Sequence, residues 1–164
     1  MALSDAQLDR YARQIIIPEV GARGQEILLA SRVWLVGHSG AVSMARRYLH
    51  ASGLTTVEDP GTGDVDCALV VQPSRAEAAT LTRVVAGGWP VVWYELTRYG
   101  YRAGIHRTPA PAPIELTAPL ASPTAPRVEP APEHAVAACD AACSVIGILL
   151  GLRVATGIYE AHLA

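Results

Sequence analysis

The chain of 164 residues contains no lysine, and all 13 of its basic residues are arginine. That absence excludes a lysine Schiff base, an acylated lysine amine and a lysine that cradles a phosphate. Cysteine is scarce. Cys67, Cys139 and Cys143 make neither an even set nor a CxxC pair, so a disulfide framework and a zinc site are not expected, and a reduced, cytoplasmic compartment fits. No charge of one sign dominates either. A formal net charge of −2, with basic and acidic residues interspersed, leaves no footprint for nucleic acid or an anionic membrane. Partners must therefore be chosen by shape and local chemistry. Long hydrophobic runs are missing too: the most apolar stretch, Val145 to Ile158, is interrupted by Arg153 and falls short of the ~20 residues that span a bilayer. It reads as a buried helix, and the N-terminus shows no basic-then-apolar signal segment.

What is present is an alternation of helical and strand-like segments. Ser4-Asp5-Ala6-Gln7 matches a capping box and predicts a helix from Asp5 to about Ile15, stopping before Pro18. A second helix is expected over Ala22 to Leu29, then a buried strand over Val33 to Val36. Ala41 to Ala51 favours helix, and Gly53 suits a left-handed C-terminal cap. Weak strand character over Leu54–Val57 precedes a buried strand over Ala68–Val71. A helix opening at Pro73 or Ser74 should run to about Val85, Pro90–Tyr94 should be a strand, and Tyr99–His106 an antiparallel edge strand. Eight of the twelve prolines fall between Pro109 and Pro132, which predicts an extended arm outside the sheet. From about His134 the chain reads as helix to its end. The pattern predicts one α/β domain with a Rossmann-like, open, mostly parallel sheet. Its parts are N-terminal helices over 1–30, a core over 32–107, a proline-rich loop over 108–133 and a C-terminal helix over 134–164.

The turn after the first strand, Gly37-His38-Ser39-Gly40-Ala41-Val42, is the natural place for a phosphate, because backbone amides and a helix N-terminus converge there. Gly37, Ser39 and Gly40 are the candidate nucleotide contacts. The G-x-G-x-x-G fingerprint is damaged, however, and the same residues are compatible with an ordinary strand-to-helix turn. Val42 should push the helix away or fill space a ligand would use. Glu58 or Asp59 lies at the spacing of a ribose-binding carboxylate, Asp59 being the candidate carried forward, or is a solvated turn residue. His38 could contact an anion or be a plain loop histidine; His106, His134 and His162 show no metal spacing.

Asp9-Arg10-Tyr11-Ala12-Arg13-Gln14-Ile15-Ile16-Ile17-Pro18, followed by Gly21-Ala22-Arg23-Gly24-Gln25-Glu26 and the Gly37–Val42 turn, resembles the start of ThiF/MoeB/HesA proteins. Those proteins resemble ubiquitin-activating enzymes and adenylate the C-terminus of a ubiquitin-like or sulfur-carrier protein. The resemblance implies that Arg13 is an arginine finger reaching the triphosphate in a neighbouring subunit, or that Arg10, Tyr11, Arg13 and Gln14 hold a subunit interface. Both imply a dimer. Trp89–Tyr94 and Tyr101–Arg107 look like the family's later strands, and Ala142 through Gly151 to Glu160 like its glycine-spaced terminal helix. Cys139 lies within one residue of a family cysteine that bonds to the carrier's thiocarboxylate. It is either that nucleophile, activated near a helix N-terminus, or a structural cysteine; Cys143 and Cys67 look like core residues.

Four departures bear on catalysis. Only Leu54 to Asp66 stand where the family has a longer βα unit with an Asp-rich stretch, an S-N-L-x-R-Q segment and a lysine, which together bind ATP and magnesium. Gln72-Pro73-Ser74-Arg75 replaces D-x-T-D-N, so the magnesium carboxylate is missing and a cation takes its place. Both zinc CxxC pairs are absent, and the chain ends where the family continues into its last strands. The expected function is a degenerate, non-adenylating subunit with no ATP, magnesium or zinc. It would bind a second copy, a complete paralogue or a ubiquitin-like carrier, and no nucleic acid or membrane. The alternatives are a minimal adenylyltransferase or sulfur-transfer enzyme using Arg13 and Cys139, and a nucleotide or small-ligand binding module.

Overall fold

The computed structural model describes residues 2–37, 39–61, 63–72, 77–97, 100–107 and 132–162. The described residues form α1 (Asp5–Ile15), α2 (Gly21–Ala30), β1 (Arg32–Gly37), α3 (Ser39–Ala51), β2 (Thr55–Val57), β3 (Cys67–Val71), α4 (Ala78–Ala86), β4 (Val91–Leu96), β5 (Gly100–His106), α5 (Pro132–Leu149) and β6 (Gly157–His162). The strands make one sheet in the order β2-β1-β3-β4-β5-β6. The first four run parallel, while β5 and β6 are antiparallel additions. This is the mostly parallel, Rossmann-like architecture that the sequence predicts.

Alternation along the strands sends residues to opposite faces. Val33, Leu35, Cys67, Leu69, Val71, Val92 and Tyr94 pack with Leu28 of α2, Ala45 and Leu49 of α3, and the alanine-rich side of α5. Trp34, Val36, Ala68, Val70, Val91 and Trp93 pack with Leu81 and Val84 of α4. Both faces being covered explains why β3 is buried at every position.

The predicted capping box is formed: the Ser4 hydroxyl accepts from the Gln7 amide and the Gln7 side chain accepts from the Ser4 amide. At the far end of α3, Gly53 has φ +92, Gly53 N–H donates to His50 O and Leu54 N–H to Leu49 O, a Schellman ending. The exposed carbonyls there anchor the N-terminal helices. Gln14 Nε2 donates to Ala51 O at 2.9 Å, and the fully buried Gln25 donates to Ser52 O at 3.0 Å. Tyr11, 6% exposed, closes over Gly53, where an added Cβ would lie 2.8 Å from Gln25 Nε2 and 3.3 Å from the tyrosine ring.

Three expectations about the chain's later half are corrected. β5 is not an edge strand, because β6 pairs along its outer side. The helix expected from His134 to the end stops at Leu149: Gly151, φ +70, donates to Ile148 O and Leu152 N–H to Gly147 O, again a Schellman ending. The stretch Val145–Ile158 is therefore only partly helix, and the terminal segment contributes β6 where strands were expected to be missing. The helix expected from Pro73 or Ser74 is described from Ala78; residues 73–76 and the proline-rich segment 108–131 lie outside the described residues.

β4, β5 and β6 place Glu95, Arg102 and Glu160 side by side in register. Arg102 bonds Glu95 at 3.1 Å, yet burial pushes the Glu95 carboxyl above the ordinary range, with Glu160 adding repulsion and Arg102 opposing both. A raised folded pKa means that the native state holds this proton more tightly than the unfolded chain. Stability should therefore fall as pH rises from the ordinary glutamate value through the folded one. Glu95→Gln should flatten that fall in a series of thermal melts across pH; an unchanged slope would assign it to other groups.

Candidate functional site

A cleft of about 400 Å³ opens at the C-terminal end of β1, between the start of α3 and the residues that follow β2. This is the switch point of the sheet, since the chain leaves β1 for β2 on one side and β3 lies on the other. Its walls include Gly37, Val42, Ser43, Arg46, Glu58 and Thr80. Gly37 has φ +136, and a Cβ there would stand 2.1 Å from Val71 O and 3.1 Å from Val42 Cγ2. Its lack of a side chain thus serves the close approach of β1 to β3, with the valine methyl already against it.

Charge in the cleft is paired. Arg46 and Glu58 form a salt bridge of 2.7 Å, with side chains 34% and 77% exposed, so its net worth is small, up to about 1 kcal/mol. Its geometry matters more, because the Glu58 carboxylate, one of the two at the spacing expected for a ribose, already faces a guanidinium. Glu77 adds a second carboxylate to the wall.

Asp59, the predicted ribose carboxylate, belongs to a different surface. Its Oδ1 accepts from Arg83 at 2.9 Å and from Gly61 N–H at 2.9 Å, and these two bonds hold its carboxyl below the usual range. Arg83 in turn lies over the Trp34 ring at 5.1 Å. Glu58, the other residue at that spacing, is the one in the cleft. Ser39 and Gly40 fall in the first turn of α3, and His38 lies outside the described residues. The sequence reading missed Arg46, Ser43 and Thr80. A helical signal for Arg46 exists, since it follows Val42 by four residues and so shares its face.

The N-terminal motif divides in two. Within the chain, Tyr11 is a core residue and Gln14 a cap of α3. Arg10 and Arg13 remain exposed on α1, with Arg10 5.5 Å from the Tyr11 ring centre. Leu8, Ile16 and Ile17 are exposed hydrophobics of the same segment, Ile16 at 77%.

Cys139 lies two turns inside α5, beyond the first turn where a helix terminus acts on a thiol. It is exposed, as is Cys143, which corrects the expectation of a core role for the latter. Cys67 is buried, and burial pushes its thiol up to about 12. A thiol reagent should therefore modify the exposed Cys139 first, Cys143 more slowly because its thiol is raised above its ordinary value, and Cys67 only on unfolding; peptide mapping after brief alkylation checks this. Among the described residues no group of three or more His, Cys, Asp or Glu could hold a metal ion, and no helix is long and apolar enough to cross a membrane.

No family model matches the chain. Among curated proteins, the SAMP-activating enzyme E1 of Haloferax volcanii is 48% identical over 62 residues, 36% of this chain and 23% of that protein. The sulfur carrier protein adenylyltransferase of Thermus thermophilus is 36% identical over 85 residues, 52% of this chain and 27% of that protein. The matched part of the chain is similar to adenylyltransferases of the ThiF/MoeB type. The matches span only 23% and 27% of those two proteins. The ThiF/MoeB-like fold extends over nearly all of the chain. A structure of PaaA superposes with a TM-score of 0.65 at 15% identity, covering 92% of this chain and 67% of that one. A structure of E. coli MccB with MccA gives 0.60 at 14% identity, covering 87% and 64%.

Proposed function

We propose that this ThiF/MoeB-type chain does not adenylate and acts in the cytoplasm by binding a protein partner of a ubiquitin-like or sulfur-carrier system. The observation that carries this reading is the cleft at the end of β1, where Val42 lies against Gly37 and the Arg46–Glu58 pair stands on the wall beyond β2, at the spacing expected of a ribose carboxylate. These residues do not fit a magnesium–triphosphate. The segment after β3 carries no carboxylate where the resemblance implies one for magnesium, and no lysine in the chain could offset the triphosphate charge. The short connection over residues 58–66 supports the same reading, since it leaves no room for a βα unit between β2 and β3. Phosphoryl and acyl chemistry of this kind is positioning plus charge stabilisation, and losing one preorganised donor typically costs about 10²–10³ in rate. Several losses together leave no useful turnover.

The partner surface is α1 with the turn after it, where Arg10, Arg13, Leu8, Ile16 and Ile17 are exposed. The partner is a second copy, a complete paralogue that takes Arg13 into its own site, or a ubiquitin-like carrier. ATP–pyrophosphate exchange in the presence of a carrier should stay at background. Exchange that disappears in Arg13→Ala would establish the minimal adenylyltransferase instead. The volume of the cleft supports a second reading, a nucleotide or small-ligand binding module, which calorimetric binding without turnover would favour. Light scattering should show a dimer, or a complex with an added paralogue or carrier, that Ile16→Asp with Ile17→Asp disrupts. A chain that stays monomeric and partnerless at micromolar concentration ends the proposal.

A further inference from the structure

Two cysteines on α5 are used neither by the core nor by the cleft. Cys139 and Cys143 are four residues apart in a continuous helix, so one turn brings both to the same face. That face is turned away from the sheet: both cysteines are exposed and Val136 is 45% exposed, whereas Ala137, Ala138, Ala141, Ala142 and Val145 are buried. Partial desolvation, with the neighbouring Cys139 and Asp140, raises the Cys143 thiol above its ordinary value.

The spacing restricts what the pair can do. Side chains four apart on a regular helix have Cβ atoms about 5–6 Å apart. A disulfide needs about 3.5–4.5 Å, so oxidation within the pair would have to distort α5. A single ion in linear coordination fits better. Two thiolates on opposite sides of one ion stand somewhat closer together than the Cβ atoms that carry them, a separation that side chains one turn apart can reach without moving the backbone. Zinc or another ion that wants four ligands is poorly served. The described residues supply no third member for a metal cluster, and the Asp140 carboxylate already accepts from the Tyr101 hydroxyl at 2.9 Å. Soft thiolate donors in low number select a soft, low-valent cation.

We propose that Cys139 and Cys143 form a two-thiolate site for a soft monovalent cation, a cuprous ion. On binding, two S–H bonds break, two copper–sulfur bonds form and two protons pass to solvent. The copper stays in its +1 state, so the step needs no oxidant or reductant. The site goes beyond the partner-binding role and does not depend on it.

The full chain, kept anaerobic with a non-thiol reductant, should take one cuprous ion per chain from a chromophoric copper(I) chelator, and bound copper should protect both cysteines from alkylation. Cys139→Ser and Cys143→Ser should each weaken binding by more than the roughly 10–100-fold that removing an outer-shell partner costs. Cys67→Ala should leave stoichiometry and affinity unchanged. Both serine substitutions are on an exposed face, and circular dichroism with unfolding midpoints confirms that the variants are folded. Copper bound equally well by either serine variant, a requirement for Cys67, or one ion shared between two chains would each overturn the proposal. So would zinc binding at comparable affinity, because the site would then hold donors beyond these two.

Discussion

Gly37→Ala should be among the most destabilising single-methyl changes available in this chain, at about 2–5 kcal/mol. Backbone strain at a position only glycine favours contributes about 1–3 kcal/mol, and overpacking a similar amount. Both apply here: φ is +136, and the new methyl would stand 2.1 Å from the Val71 carbonyl oxygen, part of the neighbouring strand and unable to swing aside. Gly61→Ala is the matched control. Its φ is +58 but nothing lies within 4 Å, so only the left-handed penalty of roughly 1–2 kcal/mol remains. Urea unfolding of both variants measures the difference. If Gly37→Ala unfolds with the wild-type midpoint, the glycine is not needed for the β1–β3 approach and its role must be sought in a ligand. A large shift in midpoint assigns the first glycine of this turn to the close approach of β1 and β3.

The elements legible in the sequence are those set by local chemistry. Ser4 and Gln7 specify the start of α1 because both partners of the capping box are three residues apart, and β3 is evident because five apolar residues between polar turns can only be buried on both faces. Gly53 marks the end of α3 for the same reason. An equivalent signal stood at Gly151, where the hydrogen-bond pattern repeats that of Gly53, but the apolar composition of 145–158 and the glycine-spaced family helix outweighed it. β6 owes its form to pairing with β5, an interaction that no local propensity encodes.

The candidate site was less legible because its decisive contacts join distant residues. Glu58 and Asp59 are neighbours with similar chemistry, and spacing alone gave no means of choosing between them. Arg46 from α3 takes one and Arg83 from α4 takes the other, which sends the two carboxylates to different surfaces. Tyr11 and Gln14 sit in a motif with two arginines that says nothing of their contacts within the chain. Those contacts, Gly53 and Ala51, lie some forty residues away at the end of α3. Val42 lies beside Gly37, its methyl 3.1 Å from where a Cβ on that glycine would stand, a contact between residues close enough in sequence for the turn itself to bring together.

Trp34→Ala should bring the chain close to unfolding. The side chain is 1% exposed on β1, at the centre of the core beneath α4. Deleting a buried tryptophan costs about 3–5 kcal/mol through lost transfer energy and the cavity left behind. The edge-to-face contact with Trp89, centroids 5.7 Å apart at 85°, adds roughly 0.5–1.5 kcal/mol. Against a typical stability of about 5–15 kcal/mol, little remains. Trp34 also reaches the cleft, because its Nε1–H donates to Glu58 O at 2.9 Å and so fixes the residue whose carboxylate pairs with Arg46. Trp34→Phe separates the two roles. It keeps most of the ring packing but leaves the Glu58 carbonyl without its donor, at a cost of about 1–3 kcal/mol. Arg83→Ala, which removes the guanidinium over the same ring together with its ion pair to Asp59 at an exposed site, should cost the least of the three. Midpoints in the order wild type, Arg83→Ala, Trp34→Phe, Trp34→Ala are the expected result of denaturant titration. A Trp34→Ala protein no less stable than Arg83→Ala would mean that this face of the sheet is held by other contacts, and that the position of Glu58 does not depend on the tryptophan beneath it.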